Sequence, residues 1–278
     1  MTDRIIPACF AVVIAFLAAA CSASAATPTA TAPVTTSTIG STTTTPAPDP
    51  DRTDVRPAAP TTTSPTTTTT ILTVESLPHG SSLVGHASTP VDIYPGQRVV
   101  APSQMIEAVT ILGSPRVFLV ETGPVDGWVL VSLPTRPNGS TGWMRADALD
   151  LRVLDLAISV DLSDRVLRLE KDRQVILETE VAVGSPRNPT PTGGFFVTDV
   201  IELADPSGPW GPFALGISAH SDSITEFNGG DGIIGIHGTN RPASIGDPVS
   251  LGCVRVPNEV AVQLAEIVAL GTPVEIVE

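Results

Sequence analysis

Cysteine, aromatic residues and positive charge are all scarce in this 278-residue chain. Its three cysteines, Cys9, Cys21 and Cys253, are too few for a disulfide framework. With only four scattered histidines they also cannot supply a zinc site of the usual ligand spacing, so no metal is expected. Lys and Arg number 15 against 29 Asp and Glu, a net charge of −14. Such a surface repels phosphate backbones, which excludes nucleic acid as a partner. Aromatic residues make up 4% of the chain, whereas Pro (27) and Gly (23) are plentiful. That profile excludes a helical bundle and fits a disordered segment joined to turn-rich β structure. No glycine-rich nucleotide loop stands ahead of a suitable helix, and no cofactor is expected.

Against these absences stands one long apolar run, "IIPACFAVVIAFLAAA" (5–20), after Arg4. It has the length of an export signal. The stretch "LAAAC" (17–21) resembles a bacterial lipobox, which would place a lipid on Cys21. "ASA" (23–25) offers an ordinary signal-peptidase site instead, and an uncleaved anchor is the third reading. Residues 1–26 are thus expected to be a signal or lipoprotein signal. Each reading exports the rest of the chain, to the outer face of the cytoplasmic membrane or to the cell wall. Residues 27–79 follow as a Thr/Pro-rich tether ("STTTTPAPDP", "TTTSPTTTTT"), with almost no large apolar side chains to offset the entropy of ordering. A coil of this kind spans on the order of 35–40 Å. Export also leaves Cys253 as the only expected free thiol, and a lone thiol in an oxidising compartment is a liability unless it does chemistry.

The rest of the chain reads as mostly β. In residues 80–152, short alternating stretches such as "RVFLVET" (116–122) and "GWVLVSLP" (127–134) are punctuated by Gly, Pro and Asn, as in a small antiparallel barrel. The "GW…GW.R" pattern resembles bacterial SH3-like modules. Trp128 and Trp143 are expected in its core, with a binding surface as the other reading. Residues 153–278 are again strand-rich, with a "KDRQ" hairpin (171–174) and a buried strand in "DGIIGIHGT" (231–239). One short helix is expected over 258–271, with apolar residues at Val260, Leu264, Ile267 and Val268, capped by Asn258 and ended by Gly271. His220 is expected in a solvated loop.

Candidate chemistry gathers around Cys253. A thiol reacts as thiolate, so it needs a base. His237 directly follows an apolar strand, and the intervening loop, with Pro242, Gly246 and Pro248, can turn back to set Cys253 beside it. The imidazole would take the thiol proton, leave an ion pair, and later return the proton to a leaving amine. Gly252 permits close backbone approach, backbone N–H groups near Cys253 can receive an oxyanion, and Arg255 can bind a carboxylate. The residues alone also allow a buried structural cysteine beside a turn histidine.

The combination "HGTN…S-x-G-C-x-R-x-x-N", with fifteen residues between His237 and Cys253, resembles the signature of YkuD-type L,D-transpeptidases. "PTPTGGFFV" (189–197) and "GPFALGIS" (211–218) are similar to the segments that precede it in the family. The resemblance implies a β-rich catalytic domain acting on peptidoglycan stem peptides, joining them by 3→3 cross-links and open to acylation by carbapenems. It implies Cys253 as nucleophile, His237 as general base and acid, and the Gly238 carbonyl as orienter of the imidazole. Ser250, Gly252, Arg255 and Asn240 would line the substrate site, with Arg187 a weaker candidate. Leu251 stands where many members have histidine. An L,D-carboxypeptidase, a sortase-like transpeptidase and a non-catalytic wall-binding lipoprotein are the competing readings.

Overall fold

The computed structural model describes residues 73–227 and 229–278. Cys9, Cys21, the export signal and the tether up to residue 72 lie outside the described residues. The tether's last part is folded: Val74–Ser76 form a 3-10 turn, and Val74 and Leu77 pack on an apolar core. Those two side chains are what the Thr/Pro tract before them lacks.

Seven strands build the first part: β1 (Ser82–His86), β2 (Val91–Ile93), β3 (Gln104–Ile106), β4 (Val117–Val125), β5 (Trp128–Ser132), β6 (Thr141–Arg145) and β7 (Asp150–Leu154). Five form a sheet in the order β6-β5-β4-β1-β7, and β2 and β3 form a separate ribbon. The alternation along β5 and β6 decides which face is core. Val129, Val131 and Met144 point inward to join Leu83, Phe118 and Val120. Period two then sends Trp128 and Trp143 to the opposite face, where both are half-buried. Trp128 meets Tyr94 edge-on at 5.1 Å and lies 5.0 Å beneath the Arg145 guanidinium. The indoles are therefore not core residues, contrary to the sequence expectation.

The second part holds β8 (Leu156–Asp161), β9 (Val166–Lys171), β10 (Gln174–Glu180), β11 (Val183–Gly184), β12 (Gly193–Glu202), β13 (Phe213–His220), β14 (Ile233–His237), β15 (Pro248–Ser250), β16 (Val254–Arg255) and β17 (Pro273–Val277). The large sheet runs β10-β9-β8-β17-β12-β13-β14-β16. The β9–β10 hairpin turns at Asp172 and Arg173, both with positive φ, as a two-residue loop of matching twist requires. The C-terminal β17 inserts in mid-sheet, parallel to β8 and antiparallel to β12. A second apolar core, including Leu167, Leu215, Ile236, Val254 and Leu264, fills this part. Each large side chain buried there contributes about 1.5–3 kcal/mol.

The helix α1 (Asn258–Ile267) buries Ala261 and Leu264 and packs on β13 and β14. It differs from expectation at both ends. Pro257 occupies the N-cap position, and the helix ends at Val268, short of Gly271. The Asn258 Oδ1 instead accepts the Thr239 N–H at 2.7 Å, tying the helix start to the chain just after His237. A Cβ at Gly271 would fall 2.8 Å from both Val84 and Val117, so the two parts meet there as closely as glycine allows.

Candidate active site

Strand β14 ends at His237, and the parallel neighbour β16 begins one residue after Cys253, with Ile236 opposite Val254 and His237 opposite Arg255. The loop between them therefore returns Cys253 to the side of the histidine. Around them lies a cavity of about 320 Å³, whose lining includes Trp210, Phe227, His237, Ser250, Cys253 and Arg255. Cys253 is the one free thiol among the described residues.

Backbone geometry fixes the imidazole. Its Nδ1 lies 2.6 Å from the Gly238 carbonyl, an obligate acceptor, so Nδ1 carries the proton and donates. Nε2 is left as the nitrogen that can take one. Gly238 cannot be replaced without disturbance, because a Cβ there would sit 2.4 Å from Asn258 Oδ1 and 3.0 Å from the Gly211 Cα. Trp210 covers the ring, with centroids 4.6 Å apart and planes tilted by 35°.

The thiol is held with equal economy. The Gly235 N–H donates to Cys253 Sγ at 3.4 Å. The Ser250 hydroxyl donates to the Cys253 carbonyl at 2.6 Å and accepts the Gly252 N–H at 3.0 Å. Gly252 has φ +119, a conformation side chains oppose, which lets the chain turn sharply into Cys253. With the Gly252 N–H committed to Ser250, the Cys253 N–H is the adjacent backbone donor without an acceptor among the described residues. Arg255 lines the same cavity, and its Nε is buried without a partner.

Burial lowers the His237 pKa to about 4, with the Gly238 carbonyl opposing the shift and the Arg255 charge adding to it. Burial likewise pushes the Cys253 thiol up, with the Gly235 N–H and Arg255 pulling the other way. Desolvation thus disfavours both charges of the expected ion pair. Both shifts favour a neutral thiol and a neutral imidazole over the ion pair.

The remaining candidates separate. Asn240 is exposed and lines a different groove with Thr239, Pro242 and Asn258. Arg187 is exposed and is not among the cavity's lining residues. His220 is not a solvated loop residue: it ends β13, is buried, and its Nε2 lies 3.3 Å from Asp231. Residue 251 is an exposed leucine on the cavity wall. Sequence reasoning missed Trp210, Ser221, Ile224 and Phe227. Trp210 stands four residues before Ala214, which β13 pairs with His237, and that register has no local sequence signal.

Residues 155–276 match the family model described as YkuD, an L,D-transpeptidase catalytic domain. These residues, less than half of the chain, are similar to that catalytic domain. Two Bacillus subtilis (strain 168) proteins assigned by name to the L,D-transpeptidases are similar. YkuD is 37% identical over 119 residues, covering 43% of this chain and 64% of the relative. YqjB is 38% identical over 109 residues, covering 35% and 57%. The chain therefore spans less than two thirds of the length of these curated relatives. Among solved structures, the catalytic domain of an E. faecium L,D-transpeptidase is 30% identical, with 44% of this chain and 97% of that chain covered and a TM-score of 0.35. The YkuD match runs from β8 into β17 and leaves the five-stranded sheet outside it.

Proposed function

We propose that this protein is a peptidoglycan L,D-transpeptidase that works through a Cys253 thioester. One observation carries the reading: the sole described thiol lies in a cavity beside a histidine whose Nδ1 is locked on a carbonyl, within a YkuD domain. Nε2 takes the Cys253 proton as Sγ bonds to the carbonyl carbon of a donor stem, at the L-centre of its diamino acid. The Cys253 N–H receives the oxyanion, and Arg255 binds a stem carboxylate. The C–N bond then breaks, and the terminal D-alanine leaves with the proton from Nε2. The side-chain amine of a second stem attacks the thioester, gives a proton back through His237 and restores the thiol. Because both groups rest neutral, proton transfer accompanies C–S bond formation.

Water in place of the amine would make the same site an L,D-carboxypeptidase. The five-stranded part serves as an SH3-like module. Export, with a lipid on Cys21 and the Thr/Pro tract as stalk, would keep the site beside the wall. In the test, purified chain is incubated with disaccharide tetrapeptides and the products are weighed by mass spectrometry. Wild type should yield 3→3 dimers and take up one carbapenem on Cys253. Folded Cys253→Ala should do neither, and dimers from that variant would sink the reading.

A further inference from the structure

The wall of the Cys253 cavity is braced from outside the segment that matches YkuD. The connection between β13 and β14 supplies Ser221, Ile224, Phe227 and Gly232 to the cavity lining. Both its ends are gripped by the loop between β5 and β6, some 80 to 95 residues earlier in the chain. At the start, Asn138 Oδ1 accepts the His220 N–H at 2.9 Å and its Nδ2 donates to the His220 carbonyl at 2.8 Å. One side-chain amide thereby satisfies both backbone groups of the last β13 residue, as a neighbouring strand would. At the far end, Arg136 Nε donates to Asp231 Oδ1 and its Nη2 to the Asp231 carbonyl, each at 3.0 Å. The same Nη2 reaches the Ile224 carbonyl at 3.4 Å, on the cavity-lining stretch itself.

A guanidinium can serve three acceptors from one planar fork, which a lysine cannot. Its site is partly exposed, so the Arg136–Asp231 attraction is screened and stabilises the fold little. What the fork provides is position: it fixes the strand ends and the middle of the connection against one rigid loop. Sequence similarity to the family ends before this loop is reached, since the match begins at residue 155.

We propose that Arg136 and Asn138 are positioning residues for the Cys253 site, holding the 221–232 connection as the wall against which a stem peptide binds. The structural half rests on geometry alone, and the substrate half rests on the transpeptidase reading above. Neither residue touches the reacting atoms. Their loss should weaken capture of the donor stem and spare the chemical step.

The test uses the full chain as wild type, Arg136→Ala, Asn138→Ala and Arg136→Lys. Amide hydrogen exchange should accelerate about tenfold or more in peptides spanning 221–232 in both alanine variants, with β8 and β17 unchanged. Arg136→Lys should fall between wild type and Arg136→Ala. With a tetrapeptide donor, KM should rise about five- to tenfold while kcat stays within about twofold. Unchanged exchange across 221–232 overturns the proposal whatever the reaction. A freed connection with KM unaltered, or with kcat lost in proportion, overturns it as well. A wild type that turns over no stem peptide removes the transpeptidase reading instead, and the exchange data then decide the positioning role by themselves.

Discussion

The two halves of the folded chain stabilise themselves in opposite ways. Every buried polar or charged residue among those described lies between Thr190 and Thr272, in the large-sheet half. The five-stranded half buries Leu83, Phe118, Val129, Val131 and Met144 and no polar side chain of comparable burial. A buried polar group costs free energy unless it is hydrogen-bonded, so the large sheet carries penalties that the small one avoids. Three of these buried polar residues line the cavity, Ser221, His237 on the Gly238 carbonyl and Ser250 on the Cys253 turn, and the half-buried Arg255 beside them has an unpartnered Nε. One half is built for cohesion, the other for a site.

The sharpest way to break that contrast is to spoil the site and leave the cohesion intact. His237→Gln keeps a polar side chain of similar reach and removes the base. We expect acylation of Cys253 by a donor stem to slow by about 10²–10⁴-fold, the range for losing a general acid–base group. Wild-type acylation should hold its rate as pH falls through 6.5, because the imidazole stays neutral until about pH 4. An acid limb centred near 6.5 would contradict the buried, neutral histidine. Iodoacetamide should alkylate Cys253 only above the pH at which an ordinary thiol reacts, since burial raises its pKa.

The opposite perturbation spoils cohesion and leaves the site intact. Phe118 is fully buried in the small-sheet core. Phe118→Ala should destabilise the fold by about 3–5 kcal/mol through lost transfer energy and the cavity left behind. Urea unfolding followed by circular dichroism measures it. Carbapenem acylation of the molecules still folded should be unchanged. A loss of much less than this would mean that the small-sheet core collapses around the gap.

How far each half was legible in the sequence follows the same divide. Period-two patterning exposed the strands of the small sheet, since Val129 and Val131 alternate with Trp128 and Leu130. The same alternation sends Trp128 and Trp143 outward, yet their bulk suggested core; period, not size, decides the face. In the large half, Cys253 and His237 stood out because their motif is short and ordered. Trp210 and Phe227 did not, since Trp210 reaches His237 through strand register and Phe227 reaches the cavity lining through a loop path, and no local pattern encodes either. His220 reads as a loop residue because its backbone groups are held by the Asn138 side chain, far earlier in the chain. The end of α1 was misread because Gly271 looked like a helix stop, whereas its task is the close approach to Val84 and Val117.

The smallest expected effect separates the halves by pH. His237 has an ordinary pKa of 6.5 in the unfolded chain and about 4 in the fold. Between those values the unfolded state binds the extra proton, so stability rises with pH across the window and falls as pH drops through it. Above about 6.5 the term vanishes, and below about 4 it reaches its limit. The full gap, at about 1.4 kcal/mol per pKa unit, amounts to about 3 kcal/mol. At pH 4.5 most of that, about 2–3 kcal/mol, should already be lost. The many carboxylates of this acidic chain also titrate there, so the comparison is between wild type and His237→Gln, in which their contributions cancel. Urea unfolding at pH 7 and pH 4.5 should show wild type losing about 2–3 kcal/mol more than the variant. Equal losses would mean that the imidazole is solvated or charged in the fold, and the neutral-pair mechanism would fall with it. The small sheet offers the control: Phe118→Ala has no titrating group to add, and its penalty relative to wild type should be the same at both pH values.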